Sequence, residues 1–238
     1  MNREPLDALA IAAHPDDAEI SLGGTLLTLK QRGMRIGIID LTRGEMGTRG
    51  DEQDRAKEAA AANEVLQLDA RENLALPDGR IRVDVEAREQ LAKCLREYRP
   101  RLVFAHHTED LHPDHCAAGL LARQAWYLSG LSRLAELTGG PAAARPRRLY
   151  HFMGHVPFEP TFVVDIGEVW ERKLELIQCY HTQLVSQDPE DEGKHFLFGA
   201  DILERVQTKA RYWGEQIGAQ YGEPLLHYGP LPFEDPLG

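Results

Sequence analysis

Two short stretches of the chain hold the residue types that metal-assisted hydrolysis requires. The first is Ala13-His14-Pro15-Asp16-Asp17-Ala18-Glu19 and the second is His106-His107-Thr108-Glu109-Asp110-Leu111-His112-Pro113-Asp114-His115. His14 and Asp17 stand three apart on a loop turned by Pro15, so both can address one ion. Asp16, between them, points elsewhere and stays free as a general base. Pro113 suits the first turn of a helix, which puts His115 on that turn and His112 at its mouth. His14, Asp17 and His115 then form a two-histidine, one-carboxylate set. Three protein ligands with an open fourth position is the pattern of a catalytic zinc, one per chain, although ferrous iron accepts the same donors. Cys116 follows His115 directly, but neighbours on a helix diverge by about 100°, so it reads as packing.

Each cluster needs an element that delivers it. Residues 6–13 and 102–105 are short apolar runs, read as buried strands that end at the two clusters. Ligands of open α/β sheets bind at the carboxyl ends of parallel strands, and such strands would bring the clusters together. Further strands are read at 35–41, 72–76, 148–153 and 161–166. Helices are read from 21 to about 33, 51–68 with Asp51 as N-cap, 83–98, 113 to about 134, 168–184 and 201–221. This alternation predicts an α/β fold: a Rossmann-like, mostly parallel sheet flanked by helices, in a single domain over 1–238. The stretch from 222 is rich in proline and reads as irregular. Residues 186–199 read as a polar loop.

Composition limits the partners. The 238 residues carry 38 acids against 27 bases, a formal charge of −11. That disfavours nucleic acid, whose phosphates need a basic face, and leaves room for a small anionic ligand held by one or two arginines. Three widely spaced cysteines imply no disulfide framework. No run approaches the roughly 18 apolar residues of a membrane span, and the first residues lack a signal-peptide pattern. A reduced, cytoplasmic protein is expected.

The AHPDD-x-E and HPDH motifs resemble those of the LmbE-like (PIG-L) family of zinc-dependent N-acetylglucosaminyl deacetylases. The resemblance continues through residues 42–50, 179–183, 210–214, Ile217-Gly218 and Tyr221-Gly222-Glu223. Together these look like the branch that deacetylates N-acetylglucosaminyl-malate in bacillithiol biosynthesis. The resemblance implies a small amino-sugar conjugate as substrate, Asp16 as base and His112 as acid or oxyanion partner. It also implies a homo-oligomer, trimeric or hexameric. A thiol-sugar S-conjugate amidase is the competing activity. A non-catalytic nucleotide-binding domain of Rossmann type would explain Gly23-Gly24 but leaves two His/Asp clusters without a purpose.

Surrounding residues carry two readings each. Asp114 either accepts from a ligating imidazole or caps its helix. Glu19 reads as a helix cap, and His106 and His107 as satisfying backbone groups. On the substrate side stand Arg43, Glu45, Met46, Arg49 and Arg55. Arginine binds carboxylates in a fork and Glu45 is a candidate acceptor for sugar hydroxyls. Arg49 reads better as pairing with nearby helix acids, whereas Arg55 is placed in the site by resemblance. Tyr180, His181 and Gln183 are candidates for the far wall, with core packing an equal account of Tyr180.

Overall fold

The computed structural model describes residues 3–47, 49, 51–184, 202–232, 236 and 237; the loop read at 186–199 lies outside them. Seven strands form one sheet in the order β3-β2-β1-β4-β5-β7-β6. They are β1 (Ala8–Ala12), β2 (Ile36–Asp40), β3 (Ala70–Asn73), β4 (Leu102–His106), β5 (Arg148–Phe152), β6 (Phe162–Asp165) and β7 (Gly222–Leu226). The first five pair in parallel, while β7 runs antiparallel to both β5 and β6. The strand order reverses between β1 and β4. That is the switch point at which open α/β sheets leave a crevice, and the two clusters follow these two strands.

Helices cover both faces. They are α1 (Asp17–Gln31), α2 (Glu52–Leu66), α3 (Val85–Tyr98), α4 (Pro113–Ser129), α5 (Ser132–Thr138), α6 (Trp170–Gln178), α7 (His181–Leu184) and α8 (Ile202–Glu215). Alternate residues of β1 serve two cores. Ala8, Ala10 and Ala12 join Leu22, Leu26 and Trp170 on one side, and Leu9, Ile11 and Ala13 join Leu91, Leu95 and Leu121 on the other. A strand buried on both faces reads as a continuous apolar run, which is why it was legible. Local signals set the ends of several helices. The Asp51 side chain accepts from the amides of Gln53 and Asp54, and Asp84 caps α3 through Ala87.

Several expectations change, and the helix read to 221 ends at Glu215. The stretch from Gly222 is a strand, because β5 pairs only with Leu225 and Leu226 and so asks nothing of the missing N–H of Pro224. The helix expected from Pro113 to about 134 divides at Gly130, where the Arg145 guanidinium lies 2.6–2.8 Å from the place a Cβ would take. The helix expected at 168–184 becomes a short 3-10 turn, α6 and α7. The amides of Cys179 and Tyr180 bond three residues back, to Leu176 and Ile177, and tighten the turn. The strand expected at 72–76 sits at Ala70–Asn73. No helix among the described residues is long and apolar enough to cross a membrane.

Candidate metal centre

The end of β1 is tied down on two sides. The amide and hydroxyl of Thr42 donate to the Ala13 carbonyl at 3.0 and 2.9 Å, and the Ala13 amide donates to Nε2 of His106 at 3.1 Å. The chain then turns through Pro15 into α1. Asp16 is the N-cap with φ 120°, a backbone region that costs a non-glycine residue of order 1–3 kcal/mol and recurs at functional sites. Asp17 opens the helix, and its Oδ2 accepts the His14 amide at 2.8 Å. On the second strand, Gly119 lets α4 lie directly on the backbone of His106 and His107; a Cβ there would be 2.6 Å from the His106 carbonyl oxygen.

This brings both clusters to one point. Donor atoms of His14, Asp17 and His115 lie within 4.8 Å of one another. Asp17 Oδ1 is 3.2 Å from His115 Nε2, and Oδ2 is 3.2 Å from both His14 Nδ1 and His106 Nε2. Burial would raise the Asp17 carboxyl, but the His115 and His106 rings outweigh it and hold it well below its ordinary value. Burial likewise opposes charge on His115, yet Asp17 and Asp110 lift it to about 9. A carboxylate ringed by imidazoles is the donor chemistry a divalent cation replaces. The buried His115 Nδ1 lacks a well-formed hydrogen bond although Asp110 Oδ1 is 3.3 Å away; ligation at Nε2 fixes such a ring. The residues present therefore fit zinc. His14, His112 and Asp114 form a second possible donor set that shares His14.

The neighbours support this centre. Asp78 Oδ1 is 3.0 Å and Asp114 Oδ2 3.5 Å from His14 Nε2. Asp114 also accepts the Gly79 and Ile81 amides and does not cap α4. The cap is His112, whose Nδ1 accepts the Asp114 amide at 3.2 Å. Burial and the adjacent His115 and His14 lower the His112 pKa. The neutral ring therefore carries its proton on Nε2. Burial pushes Asp16 up to about 7, against the pull of Arg55.

Arg55 comes from α2 and is buried. Its Nη1 donates to the Pro15 carbonyl at 3.3 Å and lies 3.4 Å from Asp16 Oδ2; its Nη2 donates to Gln183 Oε1 at 2.7 Å. Cβ atoms at Gly44 and Gly47 would fall 3.0 and 2.6 Å from this guanidinium. The glycine-rich loop thus cradles an arginine. Gln183 Nε2 donates to the Arg49 carbonyl, and Arg49 Nη1 returns a bond to the Gln183 carbonyl. Arg49 therefore reaches across to α7.

A cavity of about 970 Å³ opens over the centre, lined in part by Asp16, Arg55, His112 and Gln183. Met46, 65% exposed, lies on its rim. Three expected substrate residues do not line it. Arg43 pairs with Glu52 at 3.0 Å; Glu45 spends its oxygens on the Arg43 and Asp78 amides; His181 is exposed at the start of α7. Glu19 caps nothing. It is fully buried and accepts from Arg71 Nη1 and the Tyr180 hydroxyl, both at 2.7 Å. His106 does satisfy a backbone amide, and His107 bonds locally to Glu109.

Sequence reasoning missed Asp78, Asp110, His155, Lys173 and Lys209, and gave Glu223 only as part of a family motif, with no role. Asp78 read as a turn residue, and Asp110 stood unremarked inside the second cluster. The others lie singly on distant elements with no spacing to mark them.

Residues 9–126 match the PIG-L family model, described as GlcNAc-PI de-N-acetylase. The chain belongs to the PIG-L family. A conserved protein from Thermus thermophilus has a solved structure with a TM-score of 0.85 at 38% identity, covering 97% of this chain and 98% of that one. Diacetylchitobiose deacetylase from Thermococcus kodakarensis is 28% identical over 91% of this chain and 81% of its own. The 4-oxalmesaconate hydratase of Pseudomonas putida is 29% identical over 75% of this chain and 74% of its own. A Bacillus anthracis protein named probable N-acetyl-alpha-D-glucosaminyl L-malate deacetylase 2 is 29% identical over 47% of this chain and 55% of its own. In this PIG-L chain the family motifs are the two stretches that meet at the switch point.

Proposed function

We propose that this PIG-L protein is a zinc-dependent N-deacetylase of N-acetylglucosamine conjugates, with N-acetylglucosaminyl-malate as its substrate. The observation that carries the reading is the meeting of His14, Asp17 and His115 beneath a cavity that also presents Asp16 and His112. Relatives named as deacetylases support the activity, and the malate deacetylase relative supports the finer substrate.

His14, Asp17 and His115 would hold the zinc, which would supply a Lewis acid and a water of lowered pKa, about 7. The chain's own residues do the rest. The Asp16 carboxylate takes the proton of the attacking water as the C–O bond forms. Its strained backbone and the Arg55 guanidinium keep it aimed into the cavity. The Nε2–H of His112 donates to the acetyl oxygen as negative charge develops there. When the C–N bond breaks, the proton taken by Asp16 passes to the leaving nitrogen. The products are acetate and a free amine.

The test is acetate release from N-acetylglucosaminyl-malate, with diacetylchitobiose and a bacillithiol S-conjugate as comparisons, before and after chelation. Hydration of an unsaturated carboxylic acid is the second reading, favoured by the hydratase relative. Loss of absorbance from 4-oxalmesaconate without acetate release from any sugar would select it.

A further inference from the structure

We infer that Gln183 is a positioning residue for the base: its side-chain amide aligns the Arg55 guanidinium with Asp16 and, being neutral, leaves the charge of that guanidinium to Asp16. The inference rests on the deacetylase reading, in which Asp16 takes the proton of the attacking water.

Sequence alone places Gln183 among the residues that bind substrate, and it does line the cavity. Its terminal amide is nevertheless occupied from within. Oε1 accepts from Arg55 Nη2 at 2.7 Å. Nε2 donates to the Arg49 carbonyl at 2.6 Å and to Thr182 Oγ1 at 3.0 Å. A primary amide has two donor hydrogens, and each has an acceptor here. A substrate oxygen could reach Nε2 only by displacing one of them. The backbone that presents this amide is itself held. The Gln183 carbonyl accepts from Arg49 Nη1, and the amide and hydroxyl of Thr182 donate to the Glu58 carboxylate at 2.7 and 2.9 Å.

Arg55 is the arginine expected from sequence to meet the aglycone. Its guanidinium is instead boxed in beside the base. Gly44 and Gly47 close on it so tightly that a Cβ at either would collide with it. Nη1 addresses the Pro15 carbonyl and Asp16 Oδ2, and Nη2 addresses Gln183. The buried Nε makes no hydrogen bond among the described residues. Of the contacts that fix the group, 3.3, 3.4 and 2.7 Å long, the one to Gln183 is the shortest. Removing it frees the guanidinium to rotate away from Asp16.

The neutrality of Gln183 has a consequence of its own. A buried guanidinium ordinarily recruits a carboxylate, which it binds in a fork, and this chain has 38 acids to offer against 27 bases. Yet among the described residues Asp16 is the one carboxylate within ion-pair distance of Arg55, at 3.4 Å. A carboxylate in place of the Gln183 amide, at 2.7 Å, would attract the guanidinium more strongly than Asp16 does, since the attraction falls with distance. An amide fixes the same geometry without competing for the charge.

The experiment is a double-mutant cycle on the zinc-loaded protein, reading kcat and KM for acetate release from N-acetylglucosaminyl-malate. Gln183→Met should lower kcat roughly 10- to 100-fold, the scale of a misplacement of about 1 Å, with full zinc content and little change in KM. In an Arg55→Ala background the same substitution should cost nothing further. Gln183→Glu, which keeps an acceptor in place but adds charge, should also lose kcat. A raised KM with wild-type kcat in Gln183→Met would make Gln183 a substrate-binding residue and overturns the inference. So does an equal loss with and without Arg55, or wild-type kcat in Gln183→Glu. If the wild type releases no acetate, the deacetylase reading fails separately. The crystal structure of Gln183→Met then decides the positioning role without activity: Arg55 turned away from Asp16 supports it, and an unmoved Arg55 overturns it.

Discussion

Asp110 Oδ1 stands 3.3 Å from Nδ1 of His115, on the side of the ring away from Asp17. The same oxygen is 2.8 Å from Nδ1 of His155, and its partner oxygen accepts the His155 amide. Asp110 is therefore held before it meets His115, and it sets the face that the ring presents. Such supports commonly govern metal affinity by roughly 10- to 100-fold. Asp110→Asn should weaken zinc binding by about that factor while His14, Asp17 and His115 remain in place. Competition with a chromophoric chelator measures it, and wild-type affinity would remove Asp110 from the design of the centre.

Metal uptake should expel protons. In protein stripped of metal, His14 is held protonated well above the usual histidine range. Burial opposes that charge, but Asp114, Asp17 and Asp78 outweigh it. His115 is raised to about 9. Ligation requires neutral imidazole. Both shifts are upward, so the competing protons are fully bound below about pH 6.5 and leave only as pH rises toward about 9. Apparent zinc affinity should therefore climb between these values. Calorimetry near neutral pH in buffers of different ionisation enthalpy should show proton release; none at all would contradict the assignment of these rings.

Asp16 should separate rate from metal content. It caps α1 at φ 120° and lies beside Arg55, with no atom in the candidate donor set. Asp16→Asn should keep stoichiometric zinc and lose roughly 10²- to 10⁴-fold in kcat. Loss of the metal in this variant would exchange the roles of Asp16 and Asp17.

The Lys173–Glu223 pair should behave as a buried ion pair. Each side chain is 3% exposed, and the carboxylate also accepts the amides of Gly24 and Thr25 at 2.8 and 2.6 Å. Removing one partner of such a pair costs about 3–5 kcal/mol. Lys173→Met should lower unfolding stability by that order, and adding Glu223→Gln should restore part of it. Denaturant titration of the single and double variants gives the coupling, and simple additivity would refute it.

Contiguity explains what could be read in advance. His14, Asp16 and Asp17 share one loop and His112, Asp114 and His115 one helix start, so local spacing revealed them. The parallel strands showed as short apolar runs because both faces are covered. Asp78 read as a turn because a Pro-Asp-Gly turn needs no further reason for its aspartate. Glu19 read as a cap because the partners that bury it, Arg71 and Tyr180, lie 52 and 161 residues away. Pro224 hid β7, since proline argues against a strand unless the ladder beside it is known to stop.

The bonds from Gly24 and Thr25 to Glu223 also set an order of events during synthesis. The acceptor follows Gly24 by 199 residues. At about 5–20 residues per second, translation separates them by roughly 10–40 s. Through that interval the first helix of a nascent chain, which bears Asp16 and Asp17 at its start, lacks the carboxylate that anchors its middle. The site is therefore completed by one of the last strands made, and a ribosome that stalls before residue 223 leaves Asp17 at the start of a helix whose middle still lacks its carboxylate anchor.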